Sequence, residues 1–252
     1  MRMLVCAVAT MLAVTACTTP NAELGAQGNV LFNAIGTYSG TSGLTIDGLM
    51  VGAPMFIELS SPEVGQSSLL ADLDLTSSPP AAADVVRFLG GRFLLIAKKS
   101  GNFDIEARRN GQIFDTLVGF RGVVGKDLQL STPTITTTES TVDGVTFTFK
   151  PYQGDMTKPI ELGTNQRLSV IAVPQDANKL PLMGIVDLVI DTDYQRLAID
   201  ISFPASPGLV ANQVTMSPVD KSTSNVDVAI SDPLTGGLQH LTVALTGKIA
   251  VP

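Results

Sequence analysis

With one histidine and two cysteines in 252 residues, the chain has few side chains suited to catalysis. The histidine is His240, on an apparent strand near the C-terminus. A Ser-His-Asp triad would have to use it, yet no Gly-x-Ser-x-Gly elbow supplies a nucleophile. A zinc site built on one histidine would need carboxylates at almost every other position. Carboxylates do occur in pairs, at Asp72/Asp74, Asp104/Glu106 and Asp191/Asp193. Two residues apart on a strand, such groups stand about 6.6 Å apart by backbone rise. That lies within the roughly 5–9.5 Å separation of glycosidase acids. Acids alternating with apolar residues are also what the wet face of any sheet carries, and that reading is preferred. Asp191-Thr192-Asp193, or Asp176 with Asn178, could offer hard oxygens to calcium, but neither has the spacing of an EF-hand loop. Turn formation accounts for both equally well. There is no glycine-rich phosphate loop or dinucleotide fingerprint. With no Trp, and only Tyr38, Tyr152 and Tyr194 as tyrosines, an aromatic sugar platform is poorly supplied. The expectation is a non-enzyme with no catalytic residue, no metal site and no cofactor.

The cysteines lead elsewhere. Cys6 lies inside an apolar run from Met3 to Val14, preceded by Arg2. A run of that length fits the core of a signal peptide and falls short of the roughly 20 residues needed to span a bilayer. Cys17 follows directly on Val14-Thr15-Ala16. This pattern of apolar, small, small, Cys resembles the lipobox of bacterial lipoproteins. The resemblance implies that the Cys17 thiol takes a diacylglycerol, that residues 1–16 are removed, and that the new amine is acylated. Two or more chains hold stably where one holds marginally, at about 0.8 kcal/mol per buried methylene. Thr18, in place of Asp, resembles the default signal for the outer membrane. The alternative is an ordinary secretory signal cut after Ala16. Residues 17–28, with Pro20, Asn21, Gly25 and Gly28, read as a flexible tether.

Charge narrows the partners. The formal net charge is −7, and loss of residues 1–16 removes one base and no acid. An acidic surface repels a phosphate backbone, and Lys98-Lys99 and Arg108-Arg109 are too small as basic clusters to reverse that, so no nucleic acid is expected. The same acidity opposes an electrostatic grip on anionic lipid. The acyl chains on Cys17 are therefore the expected membrane contact.

From residue 29 the pattern is sheet. Met55, Ile57 and Leu59 alternate with Phe56, Glu58 and Ser60, and Leu69, Ala71, Leu73 and Leu75 do the same. Arg92 to Ala97 is a near-continuous apolar strand, expected to be central. Phe103, Ile105 and Ala107 alternate with charged residues, and Asn110-Gly111 is a strong hairpin signal into Ile113, Asp115 and Leu117. The order of apolar strand, Ser-Gly loop, Phe-Asp-Ile-Glu-Ala and Asn-Gly resembles bacterial immunoglobulin-like domains of the group 2 kind, with Gly101 before the strand and Val51-Gly52 before Met55. The resemblance covers roughly residues 44–120. Ser131 to Thr141 reads as a linker or an edge strand. A second block repeats the plan: Leu162-Gly163 precedes Leu168, Val170 and Ala172, and alternating strands follow to Leu245.

The expected fold is all-β, with tandem immunoglobulin-like antiparallel β-sandwiches over residues 29–130 and 131–252. The expected function is that of a membrane-anchored lipoprotein presenting these domains at the outer membrane for adhesion, spacing or contact with an envelope or extracellular protein. The alternatives are a solute- or glycan-binding accessory module and, third, an envelope hydrolase.

Overall fold

A computed structural model describes residues 22–35, 48–62, 70–88, 91–141, 144–201 and 212–250. The Val14-Thr15-Ala16-Cys17 stretch, Cys6, Tyr38 and the candidate strand Leu44-Thr45-Ile46 lie outside them.

Among the described residues, nine strands build the first half. They are β1 (Ala22–Leu24), β2 (Leu31–Ile35), β3 (Leu49–Met50), β4 (Pro54–Ser60), β5 (Asp74–Ser78), β6 (Ala83–Arg87), β7 (Arg92–Ala97), β8 (Gly101–Arg109) and β9 (Gln112–Val123). They form two sheets, in the orders β1-β2-β4-β7-β6 and β3-β9-β8-β5. The second half holds β10 (Asp127–Thr141), β11 (Gly144–Pro151), β12 (Ile160–Leu162), β13 (Gln166–Gln175), β14 (Val189–Thr192), β15 (Leu197–Ile201), β16 (Gln213–Pro218), β17 (Thr223–Asp232) and β18 (Gly237–Thr246). Its sheets run β11-β10-β13-β16-β15 and β12-β18-β17-β14.

With β1 and β11 set aside, and the short strands β3 and β12 left out of the count, both halves have one topology. The first, second, fifth and fourth strands make one sheet of each sandwich. The other sheet carries the third, sixth and seventh strands, with a short strand running parallel to the last. That is the ABED and CFG arrangement of an immunoglobulin sandwich. The fold is therefore all-β, with two immunoglobulin-like sandwiches in tandem.

Side-chain alternation explains why each pair of sheets closes. On β7 Phe93, Leu95 and Ala97 are buried while Arg92, Leu94 and Ile96 are half-buried, and β7 lies between β4 and β6 as a central strand should. Phe103, Ile105 and Ala107 face them from β8, and Phe103 meets Phe120 with ring centroids 5.4 Å apart. Asn110 and Gly111 both take positive φ, 52° and 79°, the mirror-image turn that matches strand twist. A bulge at Gly119 (φ 79°), whose N–H donates to Asp104 Oδ1, shifts the phase of β9, so Leu117 and Phe120 both point inward.

Val51-Gly52 and Leu162-Gly163 occupy similar places, where the chain leaves the short parallel strand for the second long strand of each sandwich, Leu162 being the last residue of β12. Of the Leu69–Leu75 alternation, Leu69 lies outside the described residues; Ala71-Asp72 form a turn and β5 starts at Asp74, although Leu73 and Leu75 are buried as expected.

Two segments differ from the sequence reading. Ser131 to Thr141 is neither linker nor edge. It belongs to β10, which pairs with β11 on one side and β13 on the other and straddles the expected boundary at residue 130. Its threonines favour extended backbone, and Thr137 is 3% exposed. Residues 22–28, expected as tether, instead form β1 and a turn fastened to the first sandwich by long-range hydrogen bonds.

Candidate functional site

Two features could bear function: a concavity on the second sandwich and the junction between the sandwiches.

The concavity, about 610 Å³, opens on the outer face of the sheet containing β14, β17 and β18. Cross-strand register assembles it. Asp191 lies beside Ala229 and Ala229 beside His240, while Asp227 lies beside Thr242. Asp193 follows Asp191 with the same facing, and Met156 and Thr157 close the rim. The fold thus brings His240 to the Asp191/Asp193 pair and adds Asp227. All four are exposed. Asp193 Oδ2 lies 3.2 Å from Arg196 Nε and its Oδ1 accepts from Gln195 N. Asp227 Oδ1 accepts from the Thr242 hydroxyl at 2.8 Å. Just outside, the Thr157 hydroxyl and N–H hold the Asp155 carboxyl below its ordinary value. Among the described residues no three His, Cys, Asp or Glu groups are placed to hold a metal ion together. The arrangement is a wet acidic hollow with one imidazole at its edge.

The other candidate carboxylates serve local structure. Asp72 pairs with Arg109 at 2.7 Å and Asp74 with Arg87 at 2.7 Å. Asp104 accepts from Gly119, and Glu106 pairs with Arg108. Asp176 Oδ1 accepts from Asn178 N and Leu180 N, which makes that loop a side-chain-stabilised turn.

The junction is the more closely built feature. Met50 N donates to Met183 O and Met183 N to Gly48 O, each at 2.9 Å, and Ile185 N donates to Pro54 O at 2.7 Å. The 183–185 segment of the second sandwich thus runs as an added rung on β3 of the first. Side chains cross as well. Met183, 1% exposed, packs in the first core, while Met50 and Ala53 pack in the second. Approach is close enough to need glycine. A Cβ on Gly184 (φ 128°) would come within 2.7 Å of Ala53 Cβ, and one on Gly125 within 2.5 Å of Met50 Sδ. Asn212, 6% exposed, fixes the crossing segment: its Nδ2 donates to Gly184 O and its Oδ1 accepts from Val186 N, both at 2.9 Å.

Sequence reasoning missed two residues with organising roles, Asn212 and Asp115. Asp115 is fully buried on β9 and accepts from Gln27, Asn29, Val30 and Thr116 backbone N–H groups at 2.7–2.9 Å. A signal was available for Asp115, because it shares the phase of Ile113 and Leu117, where an acid needs a reason.

No protein-family model matches the chain, and no curated protein matches it. Solved structures resemble it at low identity. Domains 5–6 of the S-layer protein SbsC align with a TM-score of 0.34 at 13% identity, over 90% of this chain and 99% of that one. The Yersinia pseudotuberculosis adhesin InvE aligns at 0.29 and 11%, over 88% and 61%. A beta-glycosidase from Bacteroides vulgatus aligns at 0.30 and 12%, over 85% and 24%. At such scores the immunoglobulin-like assignment rests on the strand order given above.

Proposed function

We propose that the chain is a non-enzymatic outer-membrane lipoprotein, acylated at Cys17, whose two sandwiches form a stiff spacer presenting surfaces to an envelope or extracellular protein. The observation that carries this reading is the junction. Backbone hydrogen bonds and methionines exchanged between two cores hold the sandwiches in one relative setting. A spacer needs that property, because a fixed angle keeps a contact surface at a fixed place. Residues 22–28 add to it. Where they are fastened to the first sandwich, only residues 18–21 lie between Cys17 and β1. At about 3.3–3.6 Å per residue such a segment spans less than about 18 Å, which would hold the sandwich close to its membrane.

The test is fractionation of cells with protease shaving. The wild-type chain is expected in the membrane fraction, and Cys17→Ala in the soluble fraction with the same melting temperature. Shaving reports which side of the membrane the sandwiches face. A Cys17→Ala chain that stays with the membrane contradicts the anchor.

The concavity favours a second reading, a solute- or glycan-binding module, because it gathers Asp191, Asp193, Asp227 and His240 on one face. Such a ligand would be lost on Asp191→Ala/Asp227→Ala, measured by calorimetry against cell-wall fragments. The spacer reading expects no heat from either chain.

A further inference from the structure

Eight of the described strands stand at sheet edges. An edge offers unpaired N–H and C=O groups to any passing strand, and proteins blunt it with charge, shortness or cover. β3 is two residues long and lies under Met183. Six others carry a carboxylate: Glu23, Asp74, Asp84, Glu161, Asp191 and Asp200. β11 carries no carboxylate, and its one charge, Lys150, stands with Pro151 at its C-terminal end. It is eight residues long, hydrogen-bonds within its sheet only to β10, and has no buried residue. Val145, Phe147 and Phe149 are 56%, 54% and 68% exposed and share one face. That is an unusual place for three large apolar side chains, and a run of this kind marks a contact surface.

The sequence of β11 says what fits it. Read outward from Phe147, the strand is complementary to itself. In an antiparallel pair centred there, Phe147 faces Phe147, Val145 faces Phe149, Thr146 faces Thr148 and Gly144 faces Lys150. One face then holds only aromatic and β-branched pairs and the other brings threonines together, the pairings that stabilise antiparallel strands. Charge permits this at β11 where it opposes it elsewhere. Two chains of net charge −7 repel, and pairing along any of the six acidic edges would bring further carboxylates between the copies. Along β11 the only charge is Lys150, and the two copies of it would lie about 20 Å apart.

We propose that β11 is a homodimerisation edge, with two copies of this chain joined antiparallel about a two-fold axis through Phe147. The pairing makes one ten-stranded sheet from two five-stranded ones. It closes on itself, because β15, the far edge of that sheet, carries Asp200. This adds a partner to the function proposed above and does not depend on the acylation of Cys17.

The test uses the full chain in intact cells and purified in detergent. On a two-fold axis the Cα atoms of residue 147 stand about 4.5–5.5 Å apart, inside the disulfide range. The Cα atoms of residue 149 would be about 13 Å apart along the strand, outside it. On oxidation Phe147→Cys is expected to give at least about tenfold more crosslinked dimer than Phe149→Cys or the exposed control Val118→Cys. In sedimentation the wild type runs at twice the monomer mass. Phe147→Lys/Phe149→Lys runs as a monomer with unchanged melting, since both positions are exposed. A monomeric wild type, a dimer that survives the double substitution, or equal crosslinking at 147 and 149 overturns the proposal.

Discussion

Asp115 shows how much a single side chain organises. Its carboxylate is buried in the first sandwich with no cation among its described partners, and four backbone N–H groups converge on it. Three of the four come from residues 27–30, so this one acid closes the turn between β1 and β2. Removing it leaves those donors without an acceptor, and hydrogen bonds to a charged group contribute about 1.5–3 kcal/mol each. Asp115→Ala is expected to destabilise the first sandwich by about 3 kcal/mol or more in denaturant unfolding. It should also free residues 22–30 to exchange amide hydrogens. Asp115→Asn keeps one acceptor oxygen and is expected to cost less. Equal stability of Asp115→Ala and wild type would remove the anchoring role. Gly25 supports the same picture, because a Cβ there would strike the Asp115 carboxylate at 2.3 Å.

At the scale of elements, the chain's strands were legible wherever one face was buried and the other wet. β4, β7, β8, β17 and β18 all show the two-residue period, and Asn110-Gly111 marks its hairpin. Asn110→Ala forces a Cβ-bearing residue without a helpful side chain into the left-handed region. It should cost about 1 kcal/mol, read from equilibrium unfolding. A neutral result would mean the turn relaxes to another type. β10 was not legible as an interior strand for a physical reason. Leu128 and Leu130 mark its buried start, but from Ser131 on its threonines fit both water and a half-covered sheet, so no alternation emerges there, and Ile135 and Thr137 report the inward side. β1 was missed for a different reason. It pairs with β2 only seven to eleven residues on, but the turn that joins them is held by Asp115, 85 or more residues away, which no local pattern carries. The concavity was legible in part: Asp191, Asp193 and His240 were visible as candidates, but only the register of β14, β17 and β18 places them together with Asp227.

For the whole molecule, the repeat at Val51-Gly52 and Leu162-Gly163 correctly announced two sandwiches. It could not announce how they lock, because Met50 and Met183 look like ordinary core residues in the sequence. Met183→Ala should remove about 2–5 kcal/mol from a core that the residue enters from the other sandwich. The wild type is expected to melt in a single calorimetric transition and the variant in two, as the sandwiches uncouple. Two transitions already in the wild type would contradict a rigid junction. Rigidity matters only if the molecule is tethered at one end, and that makes Cys17 the residue on which the functional account turns. The direct measurement is metabolic labelling with a radioactive fatty acid, followed by capture of the wild-type and Cys17→Ala chains. The account predicts label on the wild type that survives removal of non-covalent lipid, and none on Cys17→Ala. An unlabelled wild-type chain, or equal label on both, would contradict it.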